Sequence, residues 1–323
     1  MVFLRSLVGA ALGIFLSNAA SAEPKTLNVA VLKFGTVNWE LDTIAHHRFD
    51  VANGFSLQVQ GVAGGSAAMV AFQGGTADVM VSDWLWVARQ RAAGKDYVFI
   101  PYSKAVGGVM VGQTSTAQTV ADLKGAKIGI AGGPLDKSWL ILQAYAAQQF
   151  GLNLRAETEQ VFGAPPLIFK SALSGETAAA INFWHFTAKM EAAGMRKLLD
   201  IADASRALGL DPDTPLLGYV VKGEMLRSEP ELLRGFYSAT RAAKNLLSQD
   251  DAEWNRLRPR MNAKTDAEFE GLKAGFRAGI PEDAPIDIAA ADRMLKLMAE
   301  LGGEKLLGKA TTLPDGVFLT VEE

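Results

Sequence analysis

The segment Ala71-Phe-Gln-Gly-Gly-Thr-Ala-Asp78 is echoed later in the chain by Ala172-Leu-Ser-Gly-Glu-Thr-Ala-Ala179. Each copy predicts the end of a helix, a glycine turn and a short buried strand. A tryptophan follows each copy, Trp84 and Trp184, and opens a second predicted helix that stops at a glycine. Ligands of open α/β sheets bind just beyond the carboxyl ends of the strands. The repeat therefore predicts two similar lobes that share one cleft.

The amino-terminal residues have the features of an export signal. Arg5 precedes an apolar run, residues 7–16, and Ala20-Ser-Ala22 supplies the small residues of a signal-peptidase site. The run is shorter than the ~20 apolar residues that span a bilayer. The chain has no cysteine, which excludes a lipid-modified cysteine, a disulfide framework and thiol chemistry. We therefore expect residues 1–22 to be a cleaved signal peptide and the product to be a periplasmic monomer.

The composition of the chain indicates which classes of molecule it can bind. The chain has 323 residues, 49% of them apolar, and a formal net charge of -3. This length and apolar content suit two lobes with real hydrophobic cores. Nucleic-acid binding needs a concentrated basic face, and the sequence contains no such cluster.

Strand and helix patterns alternate along the chain. We expect strands at 27–32, 55–62, 77–82, 97–102, 127–131 and 216–221, with helices between them and four more helices after Pro230. Residues 108–111 follow the fourth strand within the same expected lobe. The polar stretch at 114–119 then predicts a crossing between the lobes. The expected first lobe comprises residues 23–113 and 219–323, and the second comprises residues 114–218. We expect the return crossing at 213–218, so that both crossings act as hinges.

Four segments resemble the substrate-binding proteins of ABC importers in the nitrate, sulfonate and taurine class, which also includes thiamine-precursor binders. They are Val120-Ala-Asp-Leu-Lys-Gly-Ala-Lys-Ile-Gly-Ile130, Gly64-Gly-Ser66, Gly74-Gly-Thr-Ala-Asp78 and Leu226-Arg-Ser-Glu-Pro-Glu-Leu-Leu-Arg-Gly-Phe236. The resemblance implies an α/β, two-lobe type II periplasmic-binding-protein fold with a hinged cleft. It also implies delivery of a small molecule to a membrane permease driven by a separate ATPase, without an enzymatic activity or a cofactor.

The resemblance also implies where the ligand binds, namely on the loops that follow the strands of both lobes. Carried onto this chain, the candidate residues of the first lobe are Asn38, Trp39, Glu40, Gly65, Ser66, Ser82, Asp83 and Trp84. Those of the second lobe are Asp136, Lys137, Ser138, Trp139, Asn182, Trp184 and His185. We expect Ser66 and Ser138 to cap the helices that they open.

Four tryptophans among these residues favour a flat or cationic ligand, because a ring face attracts positive charge. If Trp84 and Trp184 face each other, they would enclose such a group. For Trp139 the alternative is that it packs within its own helix. Glu40 and Asp83 would repel an anion unless they are paired, and Asp83 has the alternative role of a helix cap. We therefore favour a neutral or cationic ligand, heterocycles included. An oxyanion bound by Lys137 and the helix starts is the alternative.

Two further alternatives are a metal-cation binder and an enzyme that reuses the fold. The carboxylates and imidazoles of Glu40, Asp42, His46, His47 and Asp83 are donors that suit a hard cation. The histidines lie beyond the loop, however, which favours a solvated helix end over a metal site. No nucleophile elbow, zinc signature or full dinucleotide fingerprint occurs, so we expect a receptor that is not an enzyme.

Overall fold

Two parallel-rich sheets organise the chain, and the strands of the second lie in sequence between the first four strands and the last strand of the first sheet. The computed structural model describes residues 24–320, so the predicted signal peptide lies outside the described residues. The ten strands are β1 Lys25–Leu32, β2 Phe55–Val62, β3 Val79–Asp83, β4 Tyr97–Ser103, β5 Gly108–Val111, β6 Lys127–Ala131, β7 Glu159–Gly163, β8 Ala179–Asn182, β9 Arg196–Asp200 and β10 Leu217–Lys222.

Fourteen α-helices surround the strands in the described part of the chain, with one 3₁₀ helix at Val120–Leu123. The first nine are α1 Val37–His46, α2 Phe49–Ala52, α3 Gly65–Gln73, α4 Trp84–Ala92, α5 Lys137–Phe150, α6 Leu154–Glu157, α7 Pro165–Leu173, α8 Trp184–Ala192 and α9 Ile201–Ala207. The others are α10 Gly223–Ser228, α11 Pro230–Gln249, α12 Asp251–Met261, α13 Asp266–Ala278 and α14 Ile288–Leu307. None of the helices between residues 24 and 320 is long and apolar enough to cross a membrane.

The first sheet has the order β2-β1-β3-β10-β4 and the second has the order β7-β6-β8-β5-β9. β10 runs antiparallel to β3 and β4, and β5 runs antiparallel to β8 and β9. We call the first sheet with its helices lobe 1 and the second sheet with its helices lobe 2. The α/β two-lobe fold expected from the sequence is the one observed.

The repeated segments adopt the same structure in both lobes. Each begins at the end of a helix, α3 or α7, turns at a glycine and enters the central strand, β3 or β8. Gly75 and Gly175 take matching left-handed backbone angles, φ +79° and φ +77°. Only glycine adopts such angles without strain, so both copies need a glycine at this turn.

The first crossing between the lobes differs from the expected one. β5, at residues 108–111, pairs with β8 and β9, so it belongs to lobe 2 and the chain crosses at residues 104–107. The polar stretch at 114–119 is instead a loop of lobe 2, where Arg196 donates to the carbonyl groups of Ser115 and Ala117. A four-residue buried strand has no feature that tells which sheet it joins. The return crossing, residues 208–216, overlaps the expected one.

Apolar packing continues across the lobes on both faces of the sheets. On one face, Trp84 of lobe 1 and Trp139 of lobe 2 belong to the same buried cluster. On the other face, α8 of lobe 2 packs against α13 of lobe 1. Contacts on both faces therefore hold the two lobes against each other.

Candidate functional site: the groove between the lobes

The carboxyl ends of the parallel strands of the two sheets face each other across a groove. Asp83, the last residue of β3, receives a hydrogen bond from Lys137, which follows β6 in the other lobe. The Nζ to Oδ2 distance is 2.8 Å, and both side chains are largely buried. This position, beyond the strand ends, is where open α/β folds bind ligands.

Asp83 has two partners at once. Its Oδ1 accepts a hydrogen bond of 2.8 Å from the backbone amide of Trp86, which caps α4, while its Oδ2 accepts from Lys137. Burial lowers the pKa of Lys137, but the charge and hydrogen bond of Asp83 outweigh it, so the pKa lies above its usual value. The residue is therefore both a helix cap and one half of an ion pair between the lobes.

Asp136 adds a second carboxylate beside this pair. It is the N-cap of α5 and accepts a hydrogen bond of 3.0 Å from the amide of Trp139. The pKa of Asp136 is raised to about 6. Burial is the largest cause and the charge of Asp83 adds to it, while the backbone amides and the charge of Lys137 act in the opposite direction. Two carboxylates and one ammonium group thus meet at the groove.

The two serines predicted to cap helices do not do so. Gly64 occupies the N-cap of α3, which leaves Gly65 and Ser66 exposed in its first turn. Asp136 takes the N-cap of α5, so Ser138 lies inside the helix. At the start of α5, a carboxylate is favoured over a hydroxyl by the helix dipole as well as by the hydrogen bond.

Glu40 does not face a ligand. It is fully buried in α1, where Oε1 accepts hydrogen bonds from Lys244 at 2.7 Å and from Tyr219 at 2.9 Å. Burial raises the pKa of Glu40, and Lys244 acts in the opposite direction. Glu40 is paired, so the repulsion of an anion expected of an unpaired Glu40 does not arise; its partner lies 204 residues further along the chain.

The tryptophans do not form the expected sandwich. Trp84 is fully buried with its ring 5.6 Å from that of Phe318, and Trp139 is 2% exposed in the same cluster. Trp184 instead meets Trp39 of lobe 1, edge to face, with ring centroids 6.1 Å apart. The two repeat tryptophans therefore pack in different clusters, and the pairing of tryptophan rings between the lobes is that of Trp39 with Trp184.

Both candidate asparagines shape loops of the groove. Asn38 donates from Nδ2 to the carbonyl oxygens of Leu32 and Gly35, at 2.8 and 2.7 Å. Asn182 donates from Nδ2 to the carbonyl oxygen of Pro165 and accepts from the amide of Phe183, at 3.0 and 2.8 Å. Each side-chain amide therefore holds the backbone that follows a strand.

The last two candidates are a serine and a histidine. Ser82 is buried within β3. His185 lies in the first turn of α8 among the rings of Phe183, Trp184 and Phe186. Burial, helped by the charge of Lys189, lowers the pKa of His185 to about 4, so the imidazole is neutral at pH 7.

Four of the five side chains considered for a metal are bound to protein partners instead, and the fifth, His46, is exposed. Asp42 pairs with Arg256 and Arg260, at 2.5 and 2.6 Å, and His47 lies 3.0 Å from Glu253. Between residues 24 and 320, no group of three His, Asp or Glu side chains is arranged to hold a metal ion.

Two phenylalanines at the strand ends were not among the predicted site residues. Phe34 follows β1 and is 85% exposed, and Phe183 follows β8 and is 39% exposed. The sequence contained this signal, because each is an aromatic residue within two positions of the end of a predicted strand.

A cavity of about 520 Å³ lies at the crossing side of the same groove. Trp184 and Ala188 of α8 line one wall, and Gly271 and Gly275 of α13 line the other. Lys104 of the first crossing completes it and pairs with Asp213 of the second, at 2.5 Å. The cavity is separate from the charged cluster formed by Asp83, Lys137 and Asp136.

The sequence matches a known family over most of its length. The family model described as NMT1/THI5 like matches residues 49–253. None of the curated protein sequences is significantly similar to the chain.

Solved structures share the fold at low sequence identity. The alkanesulfonate-binding protein SsuA from Xanthomonas axonopodis pv. citri, bound to MOPS, superposes with a TM-score of 0.69 and 19% identity, covering 92% of this chain and 99% of that chain. The periplasmic aliphatic sulphonate binding protein SsuA from Escherichia coli gives 0.71 and 18%, covering 93% and 95%. A cysteine-to-serine mutant of DSZB in complex with biphenyl-2-sulfinic acid gives 0.60 and 16%, covering 91% and 98%.

Proposed function

Since the chain belongs to the NMT1/THI5-like family, we propose that it is the periplasmic solute-binding component of an ABC importer. It binds a small molecule between its lobes and delivers it, as a monomer, to a permease that a separate ATPase drives. The observation that carries this proposal is the ion pair between Asp83 and Lys137, which joins two hinged lobes across the groove. The similarity to two sulfonate-binding proteins supports it.

We propose that the ligand is neutral or cationic. Two aspartates, Asp83 and Asp136, already occupy the starts of α4 and α5, where an anion would otherwise bind. With Lys137 they give the groove one net negative charge at neutral pH. α7 begins with Pro165 and Pro166, which have no amide hydrogen to donate to an anion. These features favour a ligand without negative charge.

An oxyanion is the second candidate, and a specific observation favours it. The start of α3 has no side-chain cap, and its first residues, Gly65 and Ser66, are exposed. Free amides at a helix start bind anions, and Lys137 supplies a positive charge if it exchanges Asp83 for a ligand. Both SsuA structures are named as sulfonate binders.

One experiment separates the two candidates. The protein is purified from the periplasm of its own source without denaturation, and native mass spectrometry identifies the bound small molecule. Titration calorimetry with that compound, and with nitrate, taurine and methanesulfonate, follows. A bound amine or neutral heterocycle supports the first candidate, and tight binding of the oxyanions supports the second. Catalytic turnover of the bound compound would contradict a receptor.

Export is tested on the same material. Amino-terminal sequencing is expected to begin at Glu23, and light scattering is expected to give the mass of a monomer. Recovery only from membranes with residues 1–22 retained would contradict a soluble periplasmic receptor.

A further inference from the structure

We propose that Phe34 and Phe183 contact the ligand from the two lobes and select a compound with a flat apolar ring. This inference rests on the proposed function and names the ligand's apolar part, whatever the charge of its head group.

Phe34 lies two residues beyond the end of β1 and is exposed to solvent. At 85% exposure it is the most exposed large apolar side chain in the part of the chain that the structure describes. Leaving a phenylalanine in water forgoes the stabilisation that its burial would give, and clustered exposed apolar groups mark binding sites more often than isolated ones do. An explanation in terms of ligand binding requires further apolar groups at the same groove.

Such groups stand on the facing lobe. Phe183, 39% exposed, directly follows β8, just as Phe34 follows β1. Leu167, 58% exposed, lies in the first turn of α7, two residues after Pro165, to which Asn182 is hydrogen bonded. Both lobes thus place apolar side chains just beyond the carboxyl ends of their strands, at the edges joined by Asp83 and Lys137.

The backbone beneath both rings is fixed by an asparagine. Asn38 bonds the carbonyl groups of Leu32 and Gly35, which flank Phe34. Asn182 bonds the amide of Phe183 itself. Holding a contact group in place before binding reduces the entropy lost on binding, which is what a selective contact requires. The two asparagines are therefore positioning residues for the two phenylalanines.

Aromatic side chains on opposite lobes suit a ring, because rings stack or meet edge to face with each other. A linear chain of equal charge would gain burial but not these ring contacts. We expect each phenylalanine to contribute about 2- to 10-fold to the affinity for a ring-bearing compound over its ring-free match.

The test uses four probes and titration calorimetry on the mature protein. Benzylammonium and n-butylammonium share a positive head group, and benzenesulfonate and n-butanesulfonate share a negative one. We expect the ring-bearing member of the better-bound pair to bind at least about tenfold more tightly. Phe34→Ala and Phe183→Ala should each reduce this ratio several-fold, with melting temperatures close to that of the wild type.

Phe150→Ala is the matched control. Phe150 is 40% exposed and ends α5, whose start lies at the groove, so it stands about 20 Å away from the site. Its removal should leave the ratio unchanged.

The outcomes are distinct. Equal binding of ring-bearing and ring-free probes by the wild type, or an unchanged ratio in both groove variants, would overturn the inference while leaving the proposed function intact. A Phe34→Ala variant that keeps the ratio but impairs import in cells would assign Phe34 to the permease contact instead, which also overturns it. Failure to bind any small molecule, including one from the periplasm, would refute the proposed function itself.

Discussion

Lys137 of lobe 2 donates a 2.8 Å hydrogen bond to Asp83 of lobe 1, and this ion pair spans the groove in which a ligand would bind. The pair supplies a contact between the lobes that does not depend on a ligand. A charged ligand would compete with one of its two members. An anion would take Lys137 from Asp83, and a cation would take Asp83 from Lys137.

Lys137→Met should therefore shift the ligand-free protein towards an open arrangement of its lobes. Losing a charge-assisted hydrogen bond costs about 1.5–3 kcal/mol, or roughly one to two decades in the ratio of closed to open forms. Small-angle X-ray scattering should show a larger radius of gyration than for the wild type. Lys124→Met, which removes an ion pair with Glu157 inside lobe 2, is the control and should not change it. Equal radii for all three proteins would contradict the prediction.

The two roles of Asp83 can be separated by two substitutions. Asparagine caps a helix about as well as aspartate, so Asp83→Asn should lose only the pair with Lys137. Asp83→Ala should lose the cap of α4 as well, at a further cost of about 1 kcal/mol in the free energy of unfolding. Urea denaturation of both variants measures the difference. If alanine and asparagine destabilise equally, the cap contributes nothing.

The buried pair of Glu40 and Lys244 should matter for stability and not for binding. Removing one member leaves the other charge uncompensated in the core, which typically costs about 3–5 kcal/mol. Glu40→Gln and Lys244→Met should each lower the urea midpoint strongly, and the double variant should be less destabilised than the sum of the two. Calorimetry on whichever single variant folds should give unchanged ligand affinity. A large loss of affinity there would place Glu40 in the binding site after all.

The repeat and the alternating apolar patterns were sufficient to predict two α/β lobes that share a cleft, and the family resemblance implied the rest of the fold. These patterns depend on local sequence, as do the turn glycines Gly75 and Gly175, whose backbone angles the two lobes share. Asp83 as a helix cap was also within reach, because a cap is defined by residues three positions apart.

Long-range partners were beyond the reach of local patterns. Trp84 and Trp184 open equivalent helices, yet one packs on Phe318 near the carboxyl terminus and the other on Trp39 of the opposite lobe. The sequence predicts that Glu40 is a loop carboxylate, whereas in the structure it is bound to Lys244. Nothing near these residues in the sequence indicates such partners. The prediction that Trp84 and Glu40 face the ligand was wrong, because both side chains are fully buried.

Two titrating groups at the groove should affect stability in opposite directions between about pH 4 and pH 6.5. The pKa of Asp136 is raised to about 6 from 3.8, so its stabilising contribution is complete below about pH 3.8 and is lost as the pH rises through 6. The pKa of His185 is lowered to about 4 from 6.5, so its contribution is present above pH 6.5 and is lost as the pH falls through 4. Each effect is at most about 3–3.5 kcal/mol.

The effects of these two groups should therefore largely offset each other in the wild type, and single variants should reveal the two slopes. Asp136→Asn, which keeps the cap of α5, should gain stability relative to the wild type as the pH rises from 4 to 7. His185→Gln should gain relative to the wild type as the pH falls over the same range. Urea denaturation at several pH values measures both. Curves parallel to that of the wild type would show that neither group titrates there.

A glycine face of α13 should control how closely the lobes approach. A Cβ at Gly275 would lie 2.7 Å from Cε3 of Trp184, which is itself packed against Trp39. Gly275→Ala should therefore either destabilise the protein by about 1–3 kcal/mol or push α8 away and open the groove. At Gly271 the same Cβ would meet Ala188 at 3.6 Å, an ordinary contact. Gly271→Ala should then stabilise the helix by about 0.5–1 kcal/mol.

The two alanine variants are thus matched in residue type, helix and lobe, and they differ only in what faces them. Thermal unfolding and small-angle scattering on both proteins distinguish the effect of packing against Trp184 from the effect of alanine's higher helix propensity. If Gly275→Ala raises the melting temperature as much as Gly271→Ala and the radius of gyration stays constant, the ring of Trp184 moves aside without a loss of stability. The contact of α8 with α13 would then not limit the approach of the two lobes.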